Sequence, residues 1–337
     1  MSSLSPRLFV AALLAVFSFA PTAQAGGVLL NASYDVARDF YKDFNPKFAA
    51  AWKAKTGETL DLRQSHGGSS KQVRAVADGL EADVVTMNQA TDIQFLADKG
   101  LVAADWQKRF PNSAAPFSST MVFIVRKGNP KRLRNWPDLA RSGIQVILPH
   151  PKNTGNGRYS YLAAYGWALR QPGATDVSAR GYVSALLRNT PLFAAGGRDA
   201  TTTFIQRKIG DVLITFESEA ELIAREFGRG EFDVVYPSES IQADFPVALV
   251  EKVVDKHGSR KQATAYLQYL WSREGQQIAA QNYIRPRDPA VLKQYASQFP
   301  PIRTFTVEQV FGGWNKAFTA HFKDGGSFDQ IFARHER

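Results

Sequence analysis

The sequence predicts an α/β fold with mostly parallel sheets, divided into two lobes. Three observations lead there. Short apolar runs bounded by turn residues alternate with amphipathic stretches along the chain, the pattern of strand–helix units. Those runs are apolar almost without a break, which suits sheets covered on both faces. The length, 337 residues, exceeds what a single core normally organises.

The elements follow in chain order. In residues 1–25, Arg7 is the only charge, residues 8–20 are almost wholly apolar, and Ala23-Gln24-Ala25 offers a small-x-small cleavage pattern. This reads as a secretory leader. The apolar stretch falls short of the roughly 20 residues that span a bilayer, so a cleaved signal peptide and a periplasmic protein are expected. A strand at 28–30 runs into Asn31-Ala32-Ser33-Tyr34-Asp35, with Asp35 placed to cap a helix over 36–55. That helix is expected to break at Asn45-Pro46, because proline disfavours helix at the residue before it. The alternating run 59–64 leads into Ser65-His66-Gly67-Gly68-Ser69-Ser70-Lys71, where two glycines permit close backbone approach. Buried strands are expected at 84–85, 122–125, 144–148, 212–214, 232–236 and 247–250. A helix is expected over 260–271, where Ala263, Tyr266, Leu267, Leu270 and Trp271 recur at helical spacing.

The most informative stretch follows the strand expected at 144–148: Pro149-His150-Pro151-Lys152-Asn153-Thr154-Gly155-Asn156-Gly157-Arg158, ahead of a helical run at 159–169. A polar, glycine-rich turn that opens a helix leaves backbone N–H groups without intrahelical partners. With the helix dipole behind them, they can hold an anion without a charged side chain. Gly196-Gly197-Arg198-Asp199-Ala200-Thr201 is another such turn. Four turns thus offer donors: those around Asp35, Ser69, Thr154–Gly155–Asn156 and Gly197.

Composition removes several alternatives. The chain has no cysteine, which excludes disulfides, thiolate metal sites and cysteine nucleophiles. Its five histidines (66, 150, 257, 321, 335) lack paired ligand spacing, so no metal and no cofactor are expected. No glycine-x-serine-x-glycine elbow is present, and the second turn lacks the full spacing of a nucleotide loop. The formal charge of +10 favours anionic partners. The basic residues are scattered among acids with no aromatic-interleaved run, so nucleic acid is not an expected partner.

At these residues the chain resembles the sulfate- and thiosulfate-binding proteins of bacterial ABC importers. The words that carry the resemblance include Leu29-Leu30-Asn31-Ala32-Ser33-Tyr34-Asp35, Gln64-Ser65-His66-Gly67-Gly68-Ser69, Val125-Arg126-Lys127-Gly128-Asn129-Pro130-Lys131, Pro237-Ser238-Glu239-Ser240, Val310-Phe311-Gly312-Gly313-Trp314 and Gly325-Gly326-Ser327-Phe328-Asp329-Gln330. The resemblance implies a two-lobed periplasmic binding protein (type II) that closes over a desolvated dianion, works as a monomer without a cofactor, and delivers its ligand to a membrane permease. It implies that the amides of Asp35, Ser69, Gly155, Asn156 and Gly197 and the Thr154 hydroxyl hold the ligand, with Arg158 either touching it or pairing behind the turn. Sulfate-binding members carry an indole donor where this chain has Phe216. Thr215-Phe216-Glu217-Ser218-Glu219 is closer to the thiosulfate type, as are Asp83-Val84-Val85-Thr86-Met87-Asn88-Gln89 and Thr201-Thr202-Thr203. The lobes are expected to divide as 26–119 with 247–337, and 120–246, with crossing strands near 121–126 and 245–250. The competing expectations are a receptor for another tetrahedral oxyanion, molybdate or phosphate, and a periplasmic hydrolase or sulfur-transfer enzyme.

Overall fold

The computed structural model describes residues 27–227 and 230–333; the leader expected at 1–25 lies outside the described residues. Along the chain run β1 (Val28–Tyr34), α1 (Arg38–Thr56), β2 (Asp61–Gly67), α2 (Ser69–Ala77), β3 (Val84–Thr86), α3 (Ala90–Asp98) and a short turn α4 (Pro111–Ala114). Next come β4 (Phe117–Arg126), β5 (Val146–Pro149), α5 (Gly155–Leu169), α6 (Asp176–Arg188), β6 (Phe193–Ala194), α7 (Gly197–Ile205), β7 (Val212–Phe216), α8 (Glu217–Glu226), β8 (Phe232–Val235) and β9 (Glu239–Phe245). The remainder holds β10 (Val247–Leu249), α9 (Glu251–His257), α10 (Arg260–Tyr269), α11 (Arg273–Gln281), β11 (Arg285–Pro286), α12 (Pro289–Gln294), β12 (Arg303–Phe305), α13 (Val307–Phe311), α14 (Trp314–Ala317) and α15 (Ser327–Phe332).

Two sheets result. The smaller has strand order β10-β3-β1-β2, with β1 parallel to β2 and β3 and only β10 antiparallel. The larger is mixed. A parallel part, β6-β5-β7, joins β4, which runs antiparallel to β7, β8, β9 and β11. The expected parallel units are therefore present, built onto one long antiparallel strand buried along nearly its whole length. Parallel strands require crossover helices, and α1, α2, α5 and α7 supply them.

Helix α1 runs unbroken through Pro46, contrary to the break expected there. Its buried face is Phe40, Phe44, Phe48 and Trp52, spaced four apart on both sides of the proline. Phe44 and Phe48 pack edge-on against Tyr266 at 5.4 and 5.2 Å, and Tyr266 donates its hydroxyl to Asn45 Oδ1 at 2.8 Å. A proline within a helix costs about 3 kcal/mol, while burying each large apolar side chain returns about 1.5–3 kcal/mol. Four such side chains outweigh one proline.

The chain's end also differs from expectation. Residues 247–337 were expected wholly in the first lobe, yet β12 pairs with β9 in the larger sheet, and α13 and α15 pack on α5 and α6. Tyr161 of α5 meets Phe322 and Phe328 at 5.4 and 6.0 Å. The cause is aromatic: this tail covers a helix whose residues are almost all buried and which would otherwise expose tyrosines. Up to α11, which packs on α1, the downstream segment stays with the smaller sheet.

Between the sheets, three connections lie side by side. At Phe117–Ser118, β4 pairs with β9 on one side and β11 on the other. Chain crossings from sheet to sheet occur before β4, between β9 and β10, and after α11.

A polar cluster anchors the back of the smaller sheet. Asp83 accepts from Leu30 N at 2.8 Å, and its other oxygen faces His257 Nδ1 at 3.0 Å. The partners Asp83 and Glu81 raise the His257 pKa above 6.5. A raised folded pKa stabilises the native state fully below the unfolded value and loses that contribution as pH rises through the folded one. His257→Ala is therefore expected to lower the melting temperature more in acid than in alkaline buffer. Scans of both proteins across that range check this; a constant difference would refute it.

Candidate functional site

Strand direction gathers the site. In the smaller sheet Tyr34 lies opposite Gly67 and Ser33 opposite Thr86, so the turns at Asp35, Gly68–Ser69 and Asn88 leave the same edge. In the larger sheet β5, β6 and β7 run parallel and release the turns before α5, α7 and α8 from one edge. The carboxyl ends of parallel strands are where open α/β sheets bind ligands. Here the two edges face each other.

The lobes are closed. A Cβ added at Gly155 would stand 2.0 Å from Asn88 Oδ1 of the opposite lobe. One at Gly196 would stand 3.1 Å from Asp35 Oδ2, and one at Gly197 3.1 Å from Val36 Cγ1 and 3.3 Å from Asn156 Nδ2. Glycine backbone on one side thus admits side chains of the other where a Cβ would hold them apart. Asp35, Gly155, Asn156 and Gly197 come together in this way.

Most helix starts here share one feature. The residues preceding the first turns at Asp35, α2, α3, α7 and α8 make no side-chain cap hydrogen bond. Each start still carries first-turn N–H groups without helical partners. Several such starts converging on one buried spot concentrate partial positive charge there. The start of α5 is the exception: Thr154 Oγ1 accepts from Gly157 N at 3.0 Å and donates to His150 O at 3.1 Å. Thr154 thus caps its own helix through an oxygen lone pair, a role compatible with the hydroxyl donor expected from the sequence. The amides of Gly155 and Asn156 head that helix.

Ser69 is buried, with its hydroxyl donated to Asp92 and lying 3.5 Å from Met87 Sδ. Asp92 also accepts from Ser70 at 3.1 Å and Gln89 Nε2 at 2.8 Å. Arg158 points to the same group: it donates to Ser70 Oγ at 3.0 Å and to Lys152 O at 2.6 Å, and lies 3.9 Å from Asp92. Arg158 therefore ties α5 to α2 and α3 across the cleft, behind the turn. Arg198 donates to Asp39 at 2.7 Å. Both arginines nearest the turns are thus engaged with carboxylates.

Two acids flank the start of α7. Asp35 accepts from Val36 N at 3.0 Å and Arg198 N at 3.5 Å; burial pushes its pKa up, and those amides push it down. Glu219 is raised by burial and accepts from Thr201 and Thr215 at 2.7 Å each. Thr215 in turn accepts from Asn156 Nδ2 at 3.1 Å. This relay fixes Asn156 and joins α5 to α8.

Phe216 is fully buried immediately before α8. Its ring meets Tyr159 at 5.8 Å and Phe245 at 5.4 Å, and Phe245 meets Tyr34 at 5.4 Å. An apolar ring thus stands beside the polar turns. Asn88, whose buried Oδ1 has no hydrogen-bond partner, and Glu219 were not expected from the sequence. The signal for Asn88 was its position in a polar turn just past a buried strand, as for the other turns. Among the described residues there is no cluster of metal-ligating side chains, and no helix is long and apolar enough to cross a membrane.

Residues 35–285 match the family described as bacterial extracellular solute-binding protein. A thiosulfate-binding protein of Pseudomonas aeruginosa is 58% identical over 329 residues, covering 97% of this chain and 99% of that one. A sulfate-binding protein of Escherichia coli is 49% identical over 306 residues, 91% and 93% of the two chains. Among solved structures, the sulfate-binding protein SubI of Mycobacterium tuberculosis superposes with a TM-score of 0.80 at 31% identity, over 88% of this chain and all (100%) of that one. The chain belongs to the bacterial extracellular solute-binding proteins, a family of receptors and not of enzymes.

Proposed function

We propose, from that membership, that this chain is an exported periplasmic receptor that captures sulfate or thiosulfate between its lobes and hands it to the permease of an ABC importer. The observation that carries this reading is the convergence of uncapped helix starts from both lobes, beside arginines already paired with acids. A dianion there is held by main-chain dipoles, worth more in a closed, dry site than in water. In this reading the amides of Asp35, Ser69, Gly155, Asn156 and Gly197 are the donors, Thr154 shapes its turn, Arg158 fastens the lobes and Phe216 supplies an apolar wall.

Phe216 sets the preference within the class. A phenyl ring donates no hydrogen bond, and losing one donor to a charged acceptor costs about 1.5–3 kcal/mol, or roughly 10–100-fold in affinity. The larger, polarisable terminal sulfur of thiosulfate tolerates that ring better than an oxygen does. Calorimetry is expected to show thiosulfate binding at least as tightly as sulfate. Tight sulfate with undetectable thiosulfate would overturn the assignment.

Phosphate keeps a proton near neutral pH and needs an acceptor. Both Asp35 oxygens are engaged by backbone amides and both Glu219 oxygens by threonine hydroxyls, so a protonated guest finds no free carboxylate and only the neutral Asn88 Oδ1 as an acceptor, a costly mismatch. Phosphate is expected not to displace sulfate at equal concentration; efficient displacement would favour the reading as a receptor for another oxyanion.

A further inference from the structure

A cavity of about 540 Å³ opens at the mouth of the cleft, outside the turns that form the oxyanion cradle. Its walls come from both lobes: Val73, Arg74 and Phe95 on α2 and α3, Arg158 on α5, and Phe318 and Lys323 in the C-terminal tail. That volume lies within the range of small-molecule sites. The proposed function uses none of this space.

Its chemistry is lopsided. Arg158 is only 4% exposed. Two of its guanidinium nitrogens are engaged by Ser70 and Lys152, while its buried Nε has no partner. Thr91 Oγ1, on the same wall, is also buried without a partner. The side chains of Arg74 and Lys323 make no hydrogen bond or ion pair among the described residues. The lining acids accept from neutral donors, which cancel none of their charge: Asp92 from Ser69, Ser70 and Gln89, and Asp98 from Gln94 at 2.8 Å. Three cations, Arg74, Arg158 and Lys323, face two acids on this lining; the Arg158 charge is disfavoured first by burial and, after partial relief from Asp92 at 3.9 Å, by repulsion between Arg158 and Arg74. An anion between them relieves that repulsion.

The remaining wall combines polar Gln94, Asn315 and Thr319 with an apolar patch. Val73 is buried, and Phe95 is one of the few large apolar side chains left exposed, at 39%. With Phe318 they make a surface that a bare inorganic anion does not cover.

We propose that this cavity is a second ligand site, for a small anion with an apolar body, an arenesulfonate being the simplest example. Because its walls belong to different lobes, a guest here binds the closed form better than the open one. It therefore strengthens oxyanion binding, and the oxyanion strengthens its own binding by the same factor. This inference goes beyond the proposed function and does not depend on which oxyanion fills the cradle.

The test is calorimetric titration of p-toluenesulfonate into protein saturated with sulfate, with melting temperatures in parallel. The expected result is one additional equivalent bound, a raised melting temperature, and weaker binding when sulfate is omitted. Phe95→Ala combined with Lys323→Ala is expected to weaken p-toluenesulfonate by about fivefold or more, with sulfate affinity changed less than about twofold. No heat and no shift in the sulfate-saturated protein would overturn the proposal. So would stoichiometric displacement of sulfate, an unchanged affinity in the double variant, or equal second-site binding of sulfate itself. The titration without sulfate, and sulfate titrated alone, keep a failure here distinct from a failure of the oxyanion reading.

Discussion

Alanine at position 155 is expected to weaken oxyanion binding by roughly 30–150-fold while leaving the ligand-free fold nearly as stable as before. Gly155 opens α5 with ordinary helical backbone, so alanine itself is compatible with the local conformation. What it lacks is room. Its Cβ would meet Asn88 Oδ1 at 2.0 Å, Cγ at 2.7 Å and Nδ2 at 2.9 Å. Asn88 is 3% exposed and short, so it cannot swing clear cheaply. Overpacking of this kind costs about 2–3 kcal/mol. The clash arises only when the lobes meet, so the cost falls on closure, and apparent affinity drops with the population of the binding-competent state. Calorimetry of the variant measures it. Adding Asn88→Ala removes the obstacle and is expected to restore much of the loss, a coupling that a double-mutant cycle isolates. Equal binding by Gly155→Ala and the natural chain would show that the cradle closes elsewhere.

Arg285→Met is expected to cost about 3–5 kcal/mol of folding stability, the largest effect foreseen for any single substitution here. Arg285 of β11 donates through Nε to Glu217 Oε2 at 2.6 Å and through a terminal nitrogen to Oε1 at 2.7 Å. The Glu217 side chain is 0% exposed and that of Arg285 19%. Burial already pushes the Glu217 pKa up, with Arg285 pulling against it. Without the arginine an uncompensated carboxylate remains in the interior. The pH dependence fixes the cause. A carboxyl whose folded pKa is raised destabilises the fold only when ionised, so the deficit is full above the folded pKa and fades as pH falls toward 4.5, the ordinary value. Urea unfolding at several pH values measures this. Glu217→Gln in the same chain is expected to recover most of the loss; no recovery would assign the damage to the hydrogen bond from Arg285 to Pro300 O at 2.9 Å.

The sequence was most legible where a buried strand ends in a polar turn. Asp35, Ser69, Gly155 and Gly197 each follow such a strand, and parallel pairing aligns those ends without further instruction. Legibility failed where a partner lies far away in sequence. Residues 303–305 pair with 239–241, and nothing local in Arg303-Thr304-Phe305 announces it. Glu219 reads as an ordinary residue of an acidic helix until Thr201 and Thr215 close around it. Pro46 misled because a local preference was weighed without the aromatic face that overrides it. Thr154 reads in the sequence as a hydroxyl donor, and its capping role, accepting from Gly157 N, emerges only in the structure.

The triple connection at Phe117–Ser118 governs how the molecule can respond. A single tether swivels about its own axis, whereas three hydrogen-bonded segments abreast bend across their plane and resist shear. Approach of the jaws is then confined to one arc. An oversized guest props them ajar by some angle rather than skewing them, so misfit is expressed as incomplete travel along a single coordinate.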